Sequence, residues 1–200
     1  MISGVVILLA YLLGSVPIGY LLVRLKGIDI RKVGSGNIGF TNVLRIAGWR
    51  YGIPTLIFDT GKGFLLPFLA IYLGLSEWIA ILAGLSAICG HNWSIFLKGK
   101  GGKGVLTSCG VFLGLAPVPT LCALGVFCTS LLLTRFVSVS SITAIISLPI
   151  FILLLSRDKT SILILSLISV IFVVVKHISN FKRLIAGTEP KIGKKEEKRS

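Results

Sequence analysis

Four polar clusters interrupt an otherwise apolar chain, and each carries residue types suited to holding phosphate or moving a proton. The first runs Gly34-Ser35-Gly36-Asn37-Ile38-Gly39-Phe40-Thr41-Asn42-Val43-Leu44-Arg45. Glycines such as Gly34 and Gly36 let successive backbone N–H groups converge on an anion, and Ser35, Asn37, Thr41 and Arg45 add donors. The run matches GxGxxG, with Asp59 lying 20 residues past Gly39. A dinucleotide fingerprint needs a strand before it and a βαβ unit around it, whereas apolar spans flank this one. An anion-binding loop or a plain flexible connection remains.

The second cluster, Asp59-Thr60-Gly61-Lys62-Gly63, lies inside an apolar segment. Charges at such depth are costly and usually functional. Asp59 and Lys62, three apart on one helix face, also satisfy each other as an ion pair that merely orients the helix.

The third cluster is Gly90-His91-Asn92-Trp93-Ser94-Ile95-Phe96-Leu97-Lys98-Gly99-Lys100-Gly101-Gly102-Lys103-Gly104. Gly follows Lys103 where a Walker A loop has Ser or Thr, so that motif is excluded. Glycines interleaved with Lys98, Lys100 and Lys103 still form a phosphate cradle, whereas a positive-inside loop explains the lysines but not the glycines. His91 alone more often serves as a structural hydrogen-bonding residue than as a catalyst.

In the fourth cluster, Lys176 to Pro190, His177, Asn180 and Arg183 follow at intervals of three, so one helix face presents a base, an amide and a guanidinium. The Lys/Glu run of residues 191–200 reads as a solvated basic tail.

The elements that must position these clusters are membrane spans. Two hundred residues at 54% hydrophobic and 14% charged, with mean hydropathy +0.94, exceed what a soluble domain of this size tolerates. The formal charge of +14 lies in short segments between apolar ones, which points to membrane orientation and not to nucleic-acid binding. Seven apolar segments are expected as spans: Gly4 to Val23, Tyr51 to Gly74, Trp78 to Leu97, Val105 to Ala116, Val118 to Leu133, Val137 to Leu155 and Thr160 to Val175. The run Ala116-Pro117-Val118-Pro119 splits the fourth from the fifth.

Seven crossings put 18 of the 21 Lys and Arg on one side, only Arg157 and Lys159 on the other, and Lys62 within a span. The expected fold is therefore an all-α integral membrane protein of seven transmembrane helices, N-terminus outside and C-terminus cytoplasmic. Residues 1–190 would form one membrane domain, since neither hydrophilic stretch, Arg24–Arg50 or Lys176–Ser200, is long enough for a second. The first segment has no basic residue before it, so it reads as an uncleaved span. Cys89, Cys109, Cys122 and Cys128 lack CxxC spacing and read as small core residues.

The strings GSGNIGFTNVLR, DTGKG, GHNWSIFLKGKGGKGV and HISNFKRLIAGTEPK, in that order over essentially the whole chain, resemble the PlsY family of bacterial membrane acyl-phosphate:glycerol-3-phosphate acyltransferases. Departures are mild: Ile38 and Phe40 stand where the family pattern has Pro and Ala, and Ser94-Ile95 where it has Pro-Val. The resemblance implies transfer of an acyl group from acyl phosphate to the 1-hydroxyl of sn-glycerol 3-phosphate, giving lysophosphatidic acid and phosphate, with no metal or thioester coenzyme. It places the reaction in phospholipid biosynthesis at the cytoplasmic face of a bacterial inner membrane.

On that footing His177, Asn180 and Ser35 are the catalytic candidates. Gly34, Gly36, Asn37, Thr41, Arg45, Lys62, His91, Asn92, Gly101, Gly102, Lys103, Gly104, Arg183 and Glu189 are the substrate-binding ones. The expected partners are acyl phosphate, glycerol 3-phosphate and membrane lipids, with no nucleic acid.

Two rival readings are a transporter of a phosphorylated solute and a lipid-binding scaffold without chemistry. No internal repeat is visible, and the outer halves of the spans carry almost no polar residue, which disfavours an alternating pathway.

Overall fold

Pro17 breaks the first span. In the computed structural model of the protein, which describes residues 2–156 and 160–193, α1 (Ile2–Ser15) ends just before Val16-Pro17 and α2 (Ile18–Arg24) resumes after it. Proline has no N–H to continue the helical ladder and pushes its predecessor out of the helical region. The carbonyls around this break become available to other elements.

A short 3₁₀ turn, Ile30–Lys32, and the eight-residue α3 (Phe40–Ala47) precede the long α4 (Trp49–Tyr72). Then come α5 (Glu77–Asn92), a 3₁₀ turn at Ile95–Leu97, α6 (Val105–Leu115), α7 (Pro117–Thr134), α8 (Val137–Leu155), α9 (Thr160–Lys176) and α10 (Ile178–Ile185). Pro117 occupies the first helical position of α7, where its missing N–H costs nothing, so the turn at Ala116 between the fourth and fifth apolar segments forms as expected. The described residues are all helix, turn or loop, without a strand.

All seven apolar segments are helical, yet five of them are long and apolar enough to cross a bilayer on their own: Ile2–Arg24, Trp49–Tyr72, Glu77–Leu97, Pro117–Thr134 and Val137–Leu155. The 17-residue α9 joins them only together with α10, from which it bends by 50°. The 11 residues of α6 extend about 16 Å, roughly half of the hydrocarbon thickness of about 30 Å. Arg157 and Lys159, expected on the outer side, and residues 194–200 of the basic tail lie outside the described residues.

Leu8, Ile57, Leu121, Leu132, Ile150, Leu154 and Ile171 are exposed on the outer faces of the helices. That surface suits lipid as solvent. Lipid tails are as apolar as leucine, so helices associate through close packing of small residues. Gly14 of α1 lies against Ala87 of α5, and Gly63 and Gly110 bring α4 and α6 together against Thr107 and Thr60.

The main core, with Phe112, Ile88, Ile152 and Leu165, fills the bundle. A second small core of Val23, Ile30, Ile38, Val43 and Leu97 supports the first polar cluster.

Candidate active site

Asn42 organises the first cluster. Its side chain is 2% exposed, and its Oδ1 accepts from the Ser35 N–H at 3.0 Å. Its Nδ2 donates to the carbonyls of Val33 at 3.1 Å and Asn37 at 2.9 Å. Gly34 and Gly36 hold φ of +58° and +71°, the left-handed region that glycine adopts without strain. These bonds preform the loop, leaving Ser35, Asn37, Thr41 and Arg45 half-buried around it. Residue types alone assign Asn42 no role; the one signal for it is an amide with both donors and acceptors, one residue after Thr41 and beside a glycine-rich turn.

The glycine-lysine loop rests on the end of α5. The Gly102 N–H donates to the His91 carbonyl at 2.9 Å, and a side chain at Gly102 would collide with the His91 ring. Lys98 and Lys100 are exposed, whereas Lys103 turns inward. Burial lowers the Lys103 ammonium to about 8; Arg183 and Arg45 push the same way and Glu189 opposes them. Gly104 caps the N-terminus of α6, and the Asn92 amide, fully buried with neither side-chain atom hydrogen-bonded, faces it. The first N–H groups of a helix lack intrahelical partners, so this start of α6 beside an unpartnered amide is a place that can take an anion.

His177 lies at the bend between α9 and α10, 2% exposed. Its Nδ1 is 2.8 Å from the Val173 carbonyl, which can only accept, so the proton sits on Nδ1 and Nε2 keeps its lone pair. Burial, then Lys103, push its pKa down to about 4, so the ring is neutral at physiological pH.

Beside it, Lys103 donates to the Asn180 Oδ1, Asn180 Nδ2 donates to Glu189 at 2.6 Å, and Arg183 Nε donates to the other Glu189 oxygen at 2.7 Å. Burial pushes the Glu189 carboxyl up, but the hydrogen bonds from Asn180 and Arg183 and the Arg183 charge outweigh it and leave it below the ordinary value.

Lys62 and His91, two further sequence candidates, lie beneath this constellation. Lys62 and Asp59 are 6% and 3% exposed and pair at 2.8 Å, and Lys62 also donates to the Val16 carbonyl at the Pro17 break, at 3.1 Å. His91 Nδ1 is 3.6 Å from the same Asp59 oxygen. The arrangement is an intramembrane ion pair that fastens α4 to the first span and supports the histidine under Gly102.

An apolar groove between α6, α7 and α8 is lined by Val105, Cys109, Phe112, Phe127, Ile145 and Leu148.

Residues 4–187 match the family model described as glycerol-3-phosphate acyltransferase. The chain belongs to the glycerol-3-phosphate acyltransferase family. It is similar to the glycerol-3-phosphate acyltransferase of Synechococcus sp. strain CC9902, at 46% identity over 96% of both chains. It is likewise similar to that of Geotalea daltonii, at 47% identity over 94% of this chain and 97% of the relative.

Its fold is similar to the crystal structure of PlsY (YgiH), described as an integral membrane glycerol 3-phosphate acyltransferase, in the glycerol 3-phosphate form. The TM-score is 0.92 at 36% identity, covering 96% of each chain. The lysophosphatidic acid form of that protein gives 0.88 at 34% identity and the same coverage.

The departures of this acyltransferase from the family pattern occupy structural places. Ile38 is buried in the small core, Phe40 packs on Trp49 with ring centroids 6.5 Å apart, and the Ser94 hydroxyl donates to the Ser15 carbonyl next to the Pro17 break.

Proposed function

We propose that this acyltransferase moves an acyl group from acyl phosphate to the 1-hydroxyl of sn-glycerol 3-phosphate, at the cytoplasmic face of a bacterial inner membrane. The observation that carries the reading is the contact of Lys103 with Asn180, which joins the glycine-lysine loop to the segment bearing His177.

Arg45, Ser35, Asn37 and Thr41 hold the acceptor's phosphate. Lys103, Asn92 and the N–H groups at the start of α6 hold the donor's, while the acyl chain enters the groove from Val105 onward. The 1-hydroxyl donates to Nε2 of neutral His177, which orients its oxygen toward the donor carbonyl. A ring held near pKa 4 is a weak base, and phosphate, with a second pKa near 6, is the better proton acceptor. The new ester C–O bond forms, the bond from the carbonyl carbon to the phosphate oxygen breaks, and the hydroxyl proton leaves on the phosphate as hydrogen phosphate. An acyl phosphate already has a stabilised anion as leaving group, so charge neutralisation by Lys103 contributes more than a protonating acid would.

Seven crossings with the N-terminus outside fit this chemistry, because they bring the four polar clusters to or near the side with most of the positive charge. In that arrangement α6 enters from the glycine-lysine loop, whose Gly102 and Gly104 are buried, and turns at Ala116 into α7; irregular backbone at membrane depth is tolerated where protein covers it. Cysteine labels at Gly36, Gly101 and Thr188 then react from the cytoplasmic side and one at Ser76 from outside.

Purified protein given acyl phosphate and glycerol 3-phosphate in detergent should release equal amounts of lysophosphatidic acid and inorganic phosphate. Absence of both products, with solute flux in sealed vesicles, would favour the transporter instead.

A further inference from the structure

Lys176, the last residue of α9, reaches back to the end of α5. Its ammonium donates to the Asn92 carbonyl and lies 4.7 Å from the centroid of the Trp93 ring. That ring meets Phe172, one turn earlier on α9, edge-on at 5.1 Å. The final carbonyls of a helix lack intrahelical partners and carry its negative end, so a cation over an aromatic ring that is itself braced edge-on suits the place.

The neighbouring carbonyl has a different burden. His91 O accepts the Gly102 N–H at 2.9 Å, and no side chain fits at Gly101 or Gly102 between loop and helix. Two successive carbonyls thus carry the two halves of the site: His91 holds the loop that presents Lys103, and Asn92 holds the residue before His177.

We propose that Lys176 is a positioning residue whose grip on Asn92 and Trp93 fixes His177 at its working distance from the glycine-lysine loop. It touches neither substrate. A misplacement of about 1 Å in a reacting geometry costs on the order of 100-fold in rate, whereas loss of a substrate contact appears in KM. A basic residue that only anchored the last span at the lipid surface would govern insertion and stability and leave turnover alone. The inference rests on the donor and acceptor assignments proposed above.

The test compares wild type, Lys176→Met, Lys176→Arg and Trp93→Leu in one bilayer preparation, measuring kcat, both KM values and the thermal midpoint. Lys176→Met should lose roughly 10- to 100-fold in kcat while either KM moves by less than about threefold. Lys176→Arg keeps a donor and a stacking cation and should recover most of the loss. Trp93→Leu removes the platform and should give a smaller loss of the same kind; it decides the matter if Lys176→Met does not fold.

Unchanged kcat in Lys176→Met, a loss carried by the KM of either substrate, or no recovery in Lys176→Arg overturns the proposal. Wild-type protein that makes no lysophosphatidic acid in the same assay would strike the substrate assignments themselves.

Discussion

Lys103 Nζ donates to Asn180 Oδ1 across 77 residues of chain. The bond joins two segments that otherwise meet the bundle separately: a loop laid on the end of α5, and α10, which follows the bend at His177. It sets the Asn180 amide between the Lys103 cation, the proposed holder of the departing phosphate, and Glu189.

This relationship gives the enzyme an alkaline limit. Burial lowers the Lys103 ammonium from 10.5 to about 8, so in the free enzyme it loses its proton as pH rises through that value. The charged form binds phosphate, so kcat/KM for acyl phosphate should fall above about pH 8 and hold steady below it. Lys103→Met should abolish that limb and lower kcat/KM by roughly 10- to 150-fold, the equivalent of a lost charge-assisted contact of about 1.5 to 3 kcal/mol. A flat profile between pH 7 and 9.5 in wild type would remove Lys103 from the donor site.

Arg45 should act on the other substrate. It stands at the end of α3 beside the loop ordered by Asn42, and it is among the charges felt by Lys103. Arg45→Ala should raise the KM for glycerol 3-phosphate by roughly 10- to 150-fold and leave that for acyl phosphate nearly unchanged. A larger effect on the donor would exchange the two assignments.

For His177 the expected acid limb is absent from the ordinary range. A neutral ring with a pKa near 4 gains its proton only as pH falls toward that value, so kcat/KM should show no histidine titration between pH 5 and 7. His177→Asn offers a substitute polar group and should keep part of the turnover, whereas loss of a general base costs about 10² to 10⁴-fold. An inactive His177→Asn variant with an acid limb near pH 6 in wild type would restore the histidine as the base.

Some of this was legible from residue order and some was not. Pro117 after a run of apolar residues announced the turn between α6 and α7, and glycine beside lysine announced the cradle. Pro17 was equally visible, yet the first segment reads as one span, because hydropathy averages over a single proline while the helix ladder does not. The eight residues of α3 were hidden among loop-forming types. Lys98, Lys100 and Lys103 are alike by type, and only folding turns the third inward. Which carbonyl Lys62 or Lys176 reaches is a matter of packing between helices far apart in the chain, and spacing carries no record of it.

Asn42 makes a prediction that separates loop order from substrate contact. Asn42→Ala leaves the Asn37 carbonyl and the Ser35 N–H without a partner, at roughly 1 to 3 kcal/mol for each group that stays buried, and takes from the Val33 carbonyl one of its two donors, the other being the Gly36 N–H. The thermal midpoint should fall and the KM for glycerol 3-phosphate should rise together. Asn42→Asp keeps the acceptor for Ser35 but loses both donors, so it should fall between Asn42→Ala and wild type. A wild-type KM in Asn42→Ala would mean that the loop needs no scaffold.

The donor can be argued from the shape of the site. Val105, the first residue of α6, lines the groove, so on the proposed assignment a phosphate at the N-terminus of α6 and an acyl chain in the groove lie at the same helix end and call for a short linker. An acyl phosphate has that form, with its carbonyl carbon one oxygen away from phosphorus. On the same assignment, a thioester of a nucleotide-bearing carrier would put sulfur and a long amide arm where the phosphate is proposed to bind, and the polar groups of the site would then stay unpaired. Rejection of a ligand that leaves buried polar groups unpaired is steep, on the order of 10⁴-fold or more in favourable cases. With matched acyl chains, lysophosphatidic acid should therefore form from acyl phosphate, and acyl-CoA should give at most a trace. Asn92→Ala should narrow the gap by slowing the acyl phosphate reaction. Comparable turnover with both donors in the wild type would show that the anion site at α6 does not select the donor.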